Sequence, residues 1–120
     1  MKIVITGSRY WKDYTAVLDV VFEYGEDTTW ILGDAKGADT LALRACKALK
    51  RKHIVECADW ERYGKVAGPI RNGAMLDHEP DLVIWFSDNL EASKGTKNCV
   101  KQAEERDIPV RSYKEVLAGT

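Results

Sequence analysis

The chain has 120 residues, and its 18 lysine and arginine side chains nearly balance 19 aspartate and glutamate side chains, for a formal net charge of −1. This length suits one domain with its own hydrophobic core. The apolar fraction of 45% excludes a disordered chain, and the near-neutral charge lacks the basic excess of most nucleic-acid-binding domains.

Targeting and metal-binding signals are sparse. The longest apolar run, DLVIWF, is far shorter than the ~18 to 20 residues of a membrane span, and the N-terminus lacks a signal-peptide pattern, so we expect a cytoplasmic protein without a membrane partner. Cys46, Cys57 and Cys99 form no CxxC pair, and His53 and His78 lie far apart. The sequence therefore predicts no disulfide, no metal site and no cofactor.

Five short apolar runs alternate with helical patterns. The predicted strands are Lys2–Thr6, Thr29–Leu32, His53–Cys57, Leu82–Phe86 and Ile108–Ser112. Such runs favour strands buried on both faces, and Pro69 suits the first turn of a helix over 69–76. We predict a single-domain Rossmann-like three-layer α/β sandwich over residues 1–120, with a central, mostly parallel sheet of about five strands.

Ligands of such folds bind beyond the carboxyl ends of the strands, which makes the following loops the candidate site. After the first strand, Gly7 permits a tight turn, Ser8 offers a hydroxyl and an amide, and Arg9 offers a fork of donors to a phosphate. An ordinary turn with an exposed arginine is the alternative.

The second loop, GDAKGADTLA, contributes Gly33, Asp34, Gly37 and Asp39. Asp34 can accept ribose hydroxyls at a strand end, whereas the position of Asp39 at a helix start favours N-capping. Neither GxGxxG nor a P-loop occurs in the chain, which disfavours dinucleotide enzymes and triphosphatases of those classes.

The third loop carries aromatic and polar candidates. Trp60 and Tyr63 can stack on a base or simply pack. Arg71, followed by Asn72, lies near a predicted helix start, where the helix dipole disfavours a cation, and this favours a functional role for the arginine.

The fourth loop, SKGT, predicts an anion site at a helix start formed by Ser93, Lys94, Gly95 and Thr96, with Ser93 or Thr96 also serving as the helix cap. The basic run KALKRKH, residues 47–53, falls at a helix C-terminus, where cations suit the dipole. Nucleic-acid binding through this run is the disfavoured alternative.

The ordered set ITGSR, GDAKGAD, AGPIRNGAML, PDLVIWF and SKGT resembles the SLOG superfamily, named for Smf/DprA DNA-processing proteins and LOG cytokinin-activating hydrolases, and especially its YspA-like, YpsA-related branch. The resemblance implies a Rossmann-like domain that binds a nucleotide or nucleotide-derived ligand, and a homodimer paired through helices. It carries binding roles onto Gly7, Ser8, Arg9, Gly33, Gly37, Asp39, Arg71, Asn72, Gly95 and Thr96.

One departure from the LOG pattern concerns the catalytic carboxylate. LOG hydrolases resemble this chain in the spacing of Arg71 and Met75, but their PGGxGTxxE motif ends in a glutamate that assists glycosidic cleavage, and Cys99 takes that place here. A thiol cannot replace a carboxylate in stabilising an oxocarbenium-like centre. The carboxylates that could act instead are Asp34, Asp77, Glu79 and Glu91.

Three functional hypotheses follow. The leading one is binding of a nucleotide-derived small molecule, such as a nucleoside phosphate or an ADP-ribose-like ligand, for sensing, sequestration or transport. The phosphate would lie at Gly95 and Thr96, neutralised by Arg9 and Arg71. The alternatives are LOG-like hydrolysis of an N-glycosidic or phosphate bond, and single-stranded DNA binding as in Smf/DprA.

Overall fold

Five parallel strands form the centre of the fold in the computed structural model, which describes residues 1–119. The strands are β1 (Lys2–Gly7), β2 (Thr29–Leu32), β3 (Lys52–Val55), β4 (Leu82–Phe86) and β5 (Val110–Ser112). The helices are α1 (Tyr14–Glu23), α2 (Ala38–Ala48), α3 (Trp60–Tyr63), α4 (Ala67–Leu76), α5 (Lys94–Glu105) and α6 (Tyr113–Leu117), with short 3-10 turns at Gly64–Val66 and Leu90–Ala92.

The strand order is β3-β2-β1-β4-β5, and every neighbouring pair is parallel. The chain runs outward from β1 to β3 and then crosses back to β4, so the direction of winding reverses between β1 and β4. In open parallel sheets a crevice forms above the carboxyl ends of the strands at this switch point. The predicted Rossmann-like α/β fold is confirmed.

Two apolar layers flank the sheet because successive strand residues point to opposite faces. Ile3 and Ile5 of β1 are fully buried in the layer formed with α1, α2 and α6, whereas Val4 is buried on the other side with residues of α4 and α5. The central strands are therefore covered on both faces, as their continuous apolar sequences predict.

The edge strand β3 corrects one part of that prediction. We predicted His53–Cys57 as a strand buried on both faces, but the strand is Lys52–Val55, and only Ile54 in it is partly covered. An edge strand has a neighbour on one side alone, so it is covered less than a central strand. The other differences are at element ends: β5 begins at Val110, and α4 begins at Ala67, with Pro69 in its first turn.

None of the helices within residues 1–119 is both long and apolar enough to cross a lipid bilayer.

Two glycines allow the first and second loops to pack against each other. A Cβ atom on Gly7 would lie 2.5 Å from the carbonyl oxygen of Phe86 and 2.6 Å from the Cβ of Ala38. Gly37 has φ of +74°, and a Cβ there would lie 2.4 Å from the carbonyl oxygen of Ser8. Both positions exclude any side chain, because backbone atoms occupy the space.

We expect Gly37→Ala to lower the free energy of unfolding by about 3 kcal/mol, because it combines backbone strain at positive φ with a clash against Ser8. Gly95→Ala is the matched control, since a Cβ at Gly95 meets nothing within 4 Å. Urea unfolding of both variants measures the difference. Equal stabilities would contradict the close packing of the two loops.

Candidate functional site

A cavity of about 660 Å³ opens at the carboxyl edge of the sheet, where the loops after β1 and β4 meet the starts of α2, α4 and α5. Its volume lies within the usual range of small-molecule sites. Ten residues predicted from the sequence line it: Gly7, Ser8, Arg9, Asp39, Arg71, Asn72, Ser93, Lys94, Gly95 and Thr96. The structure therefore brings residues of all four predicted loops to one place.

The first loop is held by backbone contacts of Ser8. Its amide donates to the carbonyl of Phe86 at 2.8 Å, and its carbonyl accepts from the amides of Trp11 and Ala38, both at 3.1 Å. The Ser8 hydroxyl accepts from the Tyr10 amide at 3.1 Å. Arg9 remains exposed, and its guanidinium lies 5.2 Å from the centre of the Tyr10 ring.

Three predicted site residues of the second loop, Gly33, Asp34 and Gly37, support the cavity without lining it. Gly33 packs beneath Asp39 and Arg71, since a Cβ there would lie 2.6 Å from Asp39 Oδ2. Asp34 Oδ1 accepts from Arg71 at 2.6 Å and from the amide of Ala58 at 3.2 Å. The Asp34 carboxylate is thus engaged in holding the arginine.

Asp39 is the one carboxylate that lines the cavity within the described part of the chain. The N-cap of α2 is Gly37, and Asp39 Oδ2 instead accepts from the amide of Ala35 at 3.0 Å, so the predicted capping role is wrong. The loop before the helix folds back over the carboxylate and leaves it 6% exposed. Burial raises the pKa of Asp39 to about 6, although the Ala35 amide and Arg71 both oppose the shift.

Arg71 and Asn72 connect α4 to the rest of the site. The Arg71 side chain is only 10% exposed, and its Nε donates to Asn72 Oδ1 at 3.1 Å. Asn72 Nδ2 donates to the Gly95 carbonyl at 3.3 Å and to Asn98 Oδ1 at 3.1 Å. Asn72 therefore orients the arginine and ties α4 to the start of α5.

The fourth loop presents the start of a 12-residue helix to the cavity. Ser93 is the N-cap, but its hydroxyl lies 2.6 Å from the hydroxyl of Thr96 and bonds to no helix amide, so side-chain capping by Ser93 or Thr96 is wrong. The amides of Lys94, Gly95 and Thr96 have no acceptor among residues 1–119. They are free to donate to a ligand.

Cationic side chains dominate the lining. Arg9, Lys65, Arg71 and Lys94 all border the cavity, and within residues 1–119 only Arg71 has a carboxylate within 4 Å. Since the whole chain has a net charge of −1, the charge of the cavity wall is opposite to that of the molecule.

Trp60 extends the cavity toward solvent. Its indole is 58% exposed, lines the cavity and packs near Gly68 at the start of α4. Tyr63, the other aromatic candidate, does not line the cavity, and the Arg62 guanidinium lies 5.1 Å from the centre of its ring. Trp60 is therefore placed to stack on a ligand base, as is the exposed ring of Tyr10, which also lines the cavity.

Cys99 lies beneath the site rather than in it. The thiol is fully buried among apolar residues, and burial raises its pKa to about 12, so it is a neutral thiol at physiological pH. Of the other carboxylates considered, Asp77 forms an ion pair with Arg106 at 2.8 Å and Glu91 pairs with Lys97. Neither these two nor Glu79 lines the cavity.

The histidines have local partners. His78 Nε2 lies 2.7 Å from Glu56 Oε2, and His53 Nδ1 lies 2.9 Å from the carbonyl oxygen of Arg51. Within residues 1–119, three or more histidine, cysteine or acidic side chains do not meet in a group suited to a metal ion.

The sequence interpretation missed several residues that line the cavity: Thr6, Tyr10, Ala35, Lys65, Gly68, Pro69, Ala92 and Asn98. A signal existed for Asn98, because it lies four residues after Lys94 and hence on the same face of α5. Lys65 gave no signal, since it belongs to a 3-10 turn that joins α3 to α4.

A family profile described as YspA, cpYpsA-related SLOG (YAcAr) matches residues 1–63. The chain belongs to this family. The predicted SLOG membership is thereby confirmed, and it supports a role connected with nucleotides or with DNA.

Two proteins extend the comparison. The Gene 61 protein of Mycobacterium phage D29 is 34% identical over 121 aligned positions, covering 93% of this SLOG chain and 95% of the phage protein. The structure of DNA processing protein A (DprA) from Streptococcus pneumoniae superposes with a TM-score of 0.73 at 18% identity, over 92% of this chain. The chain spans about half of DprA, 49% of its length, and the likeness shows a shared fold.

Proposed function

We infer that the protein binds a nucleotide-derived anion in this cavity and thereby senses, sequesters or carries it. The observation that carries this inference is the set of four cationic side chains around one cavity in a chain of net charge −1. Three of them have no carboxylate partner within residues 1–119. Cationic side chains that converge on one cavity without carboxylate partners are typical of sites for anionic ligands.

The start of α5 supports a phosphate at its first turn. Three free amides point along the helix axis toward the cavity, and the helix dipole adds positive potential there. Arg71 approaches the same turn through Asn72, and Lys94 belongs to it. One phosphoryl group would receive backbone donors and two charged donors.

The remaining lining supplies the other contacts that a nucleotide needs. Asp39 Oδ1 has no hydrogen-bond partner among residues 1–119, so it can accept a sugar hydroxyl. The exposed face of Trp60 offers a stacking surface for a base. Asp34 is a weaker candidate for the sugar, because Arg71 already occupies its Oδ1.

Hydrolysis of an N-glycosidic or phosphate bond is the second candidate, and Asp39 favours it. A buried carboxylate with a pKa of about 6 can accept and return a proton near neutral pH. In N-glycosidic hydrolysis, Asp39 would take a proton from the attacking water as the carbon–nitrogen bond breaks, and would then return that proton to the released base. Cys99 has no part in either reaction.

Single-stranded DNA binding has less support from the lining. The basic run 47–53 lies at the end of α2 and the start of β3. This places it near the amino ends of the strands, whereas the cavity lies at their carboxyl ends. The charged cavity therefore does not continue into that basic run.

We expect a nucleotide ligand to raise the melting temperature and to be recovered intact by mass spectrometry. At one hundred times its Kd a ligand adds about 2.7 kcal/mol to the free energy of unfolding. The matched variant is Gly95→Leu, which places a side chain in open space at the cavity wall and should abolish the shift without unfolding the protein. Recovery of free base or inorganic phosphate would identify a hydrolase, and the absence of any shift would contradict the proposal.

The expected homodimer remains part of the same proposal. Light scattering of the purified chain should give twice the mass of one chain, and the mass of a monomer would refute it.

A further inference from the structure

A chain of side-chain hydrogen bonds joins α4 to α5 beside the cavity. Arg71 Nε donates to Asn72 Oδ1 at 3.1 Å, and Asn72 Nδ2 donates to Asn98 Oδ1 at 3.1 Å. Gln102 Nε2 donates to the same Asn98 oxygen at 2.8 Å and to the Pro69 carbonyl at 3.0 Å. Asn98 lines the cavity, whereas Gln102 does not. The chain thus couples a residue outside the cavity to a residue of its wall.

The two ends of this chain fix the direction of its hydrogen bonds. Arg71 Nε can only donate, so the group of Asn72 that faces it is the oxygen. The Pro69 carbonyl can only accept, so the group of Gln102 that faces it is the nitrogen. Both neighbours of Asn98 therefore offer it N–H groups, and its oxygen accepts from both. The orientation of the Asn98 amide is thereby determined.

The nitrogen of Asn98 is the unused group. Nδ2 has no hydrogen-bond partner among residues 1–119. It is not one of the two buried side-chain atoms without a partner in this range, which are Trp30 Nε1 and Arg51 Nε, so it is accessible. Turning the amide over would break two hydrogen bonds. Asn98 therefore offers the cavity a donor rather than an acceptor.

The Asn98 side chain is close to the first turn of α5. Side chains of an α-helix lean toward its N-terminus, and Asn98 lies about one turn after Lys94. Asn72 Nδ2, which donates to Asn98 Oδ1, also donates to the Gly95 carbonyl at 3.3 Å. Because the Asn98 oxygen and the first turn share one donor, the Asn98 amide is within reach of a group bound at that turn.

We propose that Asn98 binds the phosphoryl group of the ligand through Nδ2, and that Gln102 is a positioning residue that holds the Asn98 amide in its donor orientation. This inference rests on the proposed function and adds two residues to it. Gln102 packs closely against α4, since a Cβ atom on Gly73 would lie 3.3 Å from Gln102 Oε1. An ionised phosphoryl oxygen accepts from Nδ2, whereas a second donor in its place leaves Nδ2 unpaired.

Asn98→Asp tests the donor. Aspartate keeps an oxygen for Asn72 and Gln102 and replaces Nδ2 with a second oxygen, which shares the negative charge. Calorimetric titration uses AMP, ADP, UMP and UDP, and we expect Asn98→Asp to weaken the tightest of them by about 100-fold. Lys101→Gln makes the same change of net charge at an exposed position of α5 outside the cavity and should leave the Kd unchanged.

Gln102→Met tests the positioning role. Methionine has a similar length and no donor, so Asn98 loses one of the two hydrogen bonds that orient it. Asn98→Ala should raise the Kd of the same nucleotide by about tenfold, and Gln102→Met should raise it by about threefold to tenfold. In the Asn98→Ala background Gln102→Met should have no further effect. Losses that simply add would show that Gln102 does not act through Asn98.

The outcomes separate this inference from the proposed function. If folded Asn98→Asp binds the nucleotide as tightly as wild type, the Asn98 contact is overturned but nucleotide binding is intact. Thermal melts establish folding, and Asn98→Ala decides the question if Asn98→Asp does not fold. Failure of all four nucleotides to bind the wild type overturns both the proposed function and this inference.

Discussion

Arg71→Ala should weaken binding of the preferred nucleotide by about 100-fold. The arginine is positioned before the ligand arrives, because Asp34 holds Nη1 at 2.6 Å and Asn72 holds Nε at 3.1 Å. Loss of one charge-assisted contact to a phosphate costs about 1.5 to 3 kcal/mol, and loss of the guanidinium fork removes up to two such contacts. A loss near 3 kcal/mol corresponds to about a 100-fold rise in Kd, which calorimetry measures directly.

Two further variants distinguish binding from folding. Arg71→Lys keeps the charge but loses the fork, so its Kd should lie between those of the wild type and Arg71→Ala. Arg62→Ala removes an exposed arginine outside the cavity and should leave the Kd unchanged. Thermal melts establish that each variant is folded. If folded Arg71→Ala binds the nucleotide with an unchanged Kd, Arg71 does not contact the ligand.

Asp39→Asn should stabilise the folded protein at pH 7.5 by up to about 3 kcal/mol. Burial raises the pKa of Asp39 from 3.8 to about 6. Between pH 3.8 and pH 6, the folded state therefore keeps a proton on Asp39 that the unfolded state has already released. The stabilising effect of this proton is complete below pH 3.8 and is lost as the pH rises through 6. The difference of about 2.2 between the two pKa values corresponds to about 3 kcal/mol of stability that the wild type loses when Asp39 ionises. Asparagine does not ionise, so the variant keeps this stability at pH 7.5.

The sign of the effect is tested by comparing the free energies of unfolding of wild type and Asp39→Asn from pH 4 to pH 8. The difference should be small at pH 4, should grow through pH 6 and should level off above pH 7. Asp19→Asn, on the exposed face of α1, is the control and should differ from wild type by less than about 0.5 kcal/mol at every pH. A difference for Asp39→Asn that stays constant with pH would contradict a shifted carboxyl pKa.

The stability lost at Asp39 has a functional interpretation. Residues that destabilise a fold are common in ligand sites, and under the proposed function the Asp39 carboxylate accepts a hydrogen bond from the ligand. The same side chain lies beside Arg71 at the inner end of the cavity, where the other carboxylate, Asp34, is already engaged. Measuring stability and affinity on one variant links the two properties.

Much of the fold was predictable from local sequence patterns. The central strands β1, β2 and β4 have continuous apolar residues because helices cover both faces of the sheet, and the predicted bounds of β2 and β4 match the structure. Strand β3 was predicted less well, because an edge strand carries exposed residues that weaken its apolar pattern. The hydrophobic pattern of a strand reflects how much of it is buried, and an edge strand is less buried than a central one.

The candidate site was predictable in its location, since the loops after parallel strands meet at one edge of the sheet. Its internal contacts were not. The sequence indicated that Asp39 caps a helix, but the preceding loop folds back so that the Ala35 amide donates to the Asp39 carboxylate. Similarly, Ser93 and Thr96 bond to each other and leave the helix amides free.

By itself, the sequence determined the alternation of strands and helices and the four loops that carry polar residues, because these follow from local composition and spacing. The family followed from the resemblance of its ordered motifs to the SLOG superfamily. Only the tertiary structure decided which charges remain unpaired. Asp34 neutralises Arg71 across 37 positions of the chain, whereas Lys65 and Lys94 have no carboxylate partner within the described residues. Pairing depends on distances between segments far apart in the chain, and no local pattern of residues contains those distances.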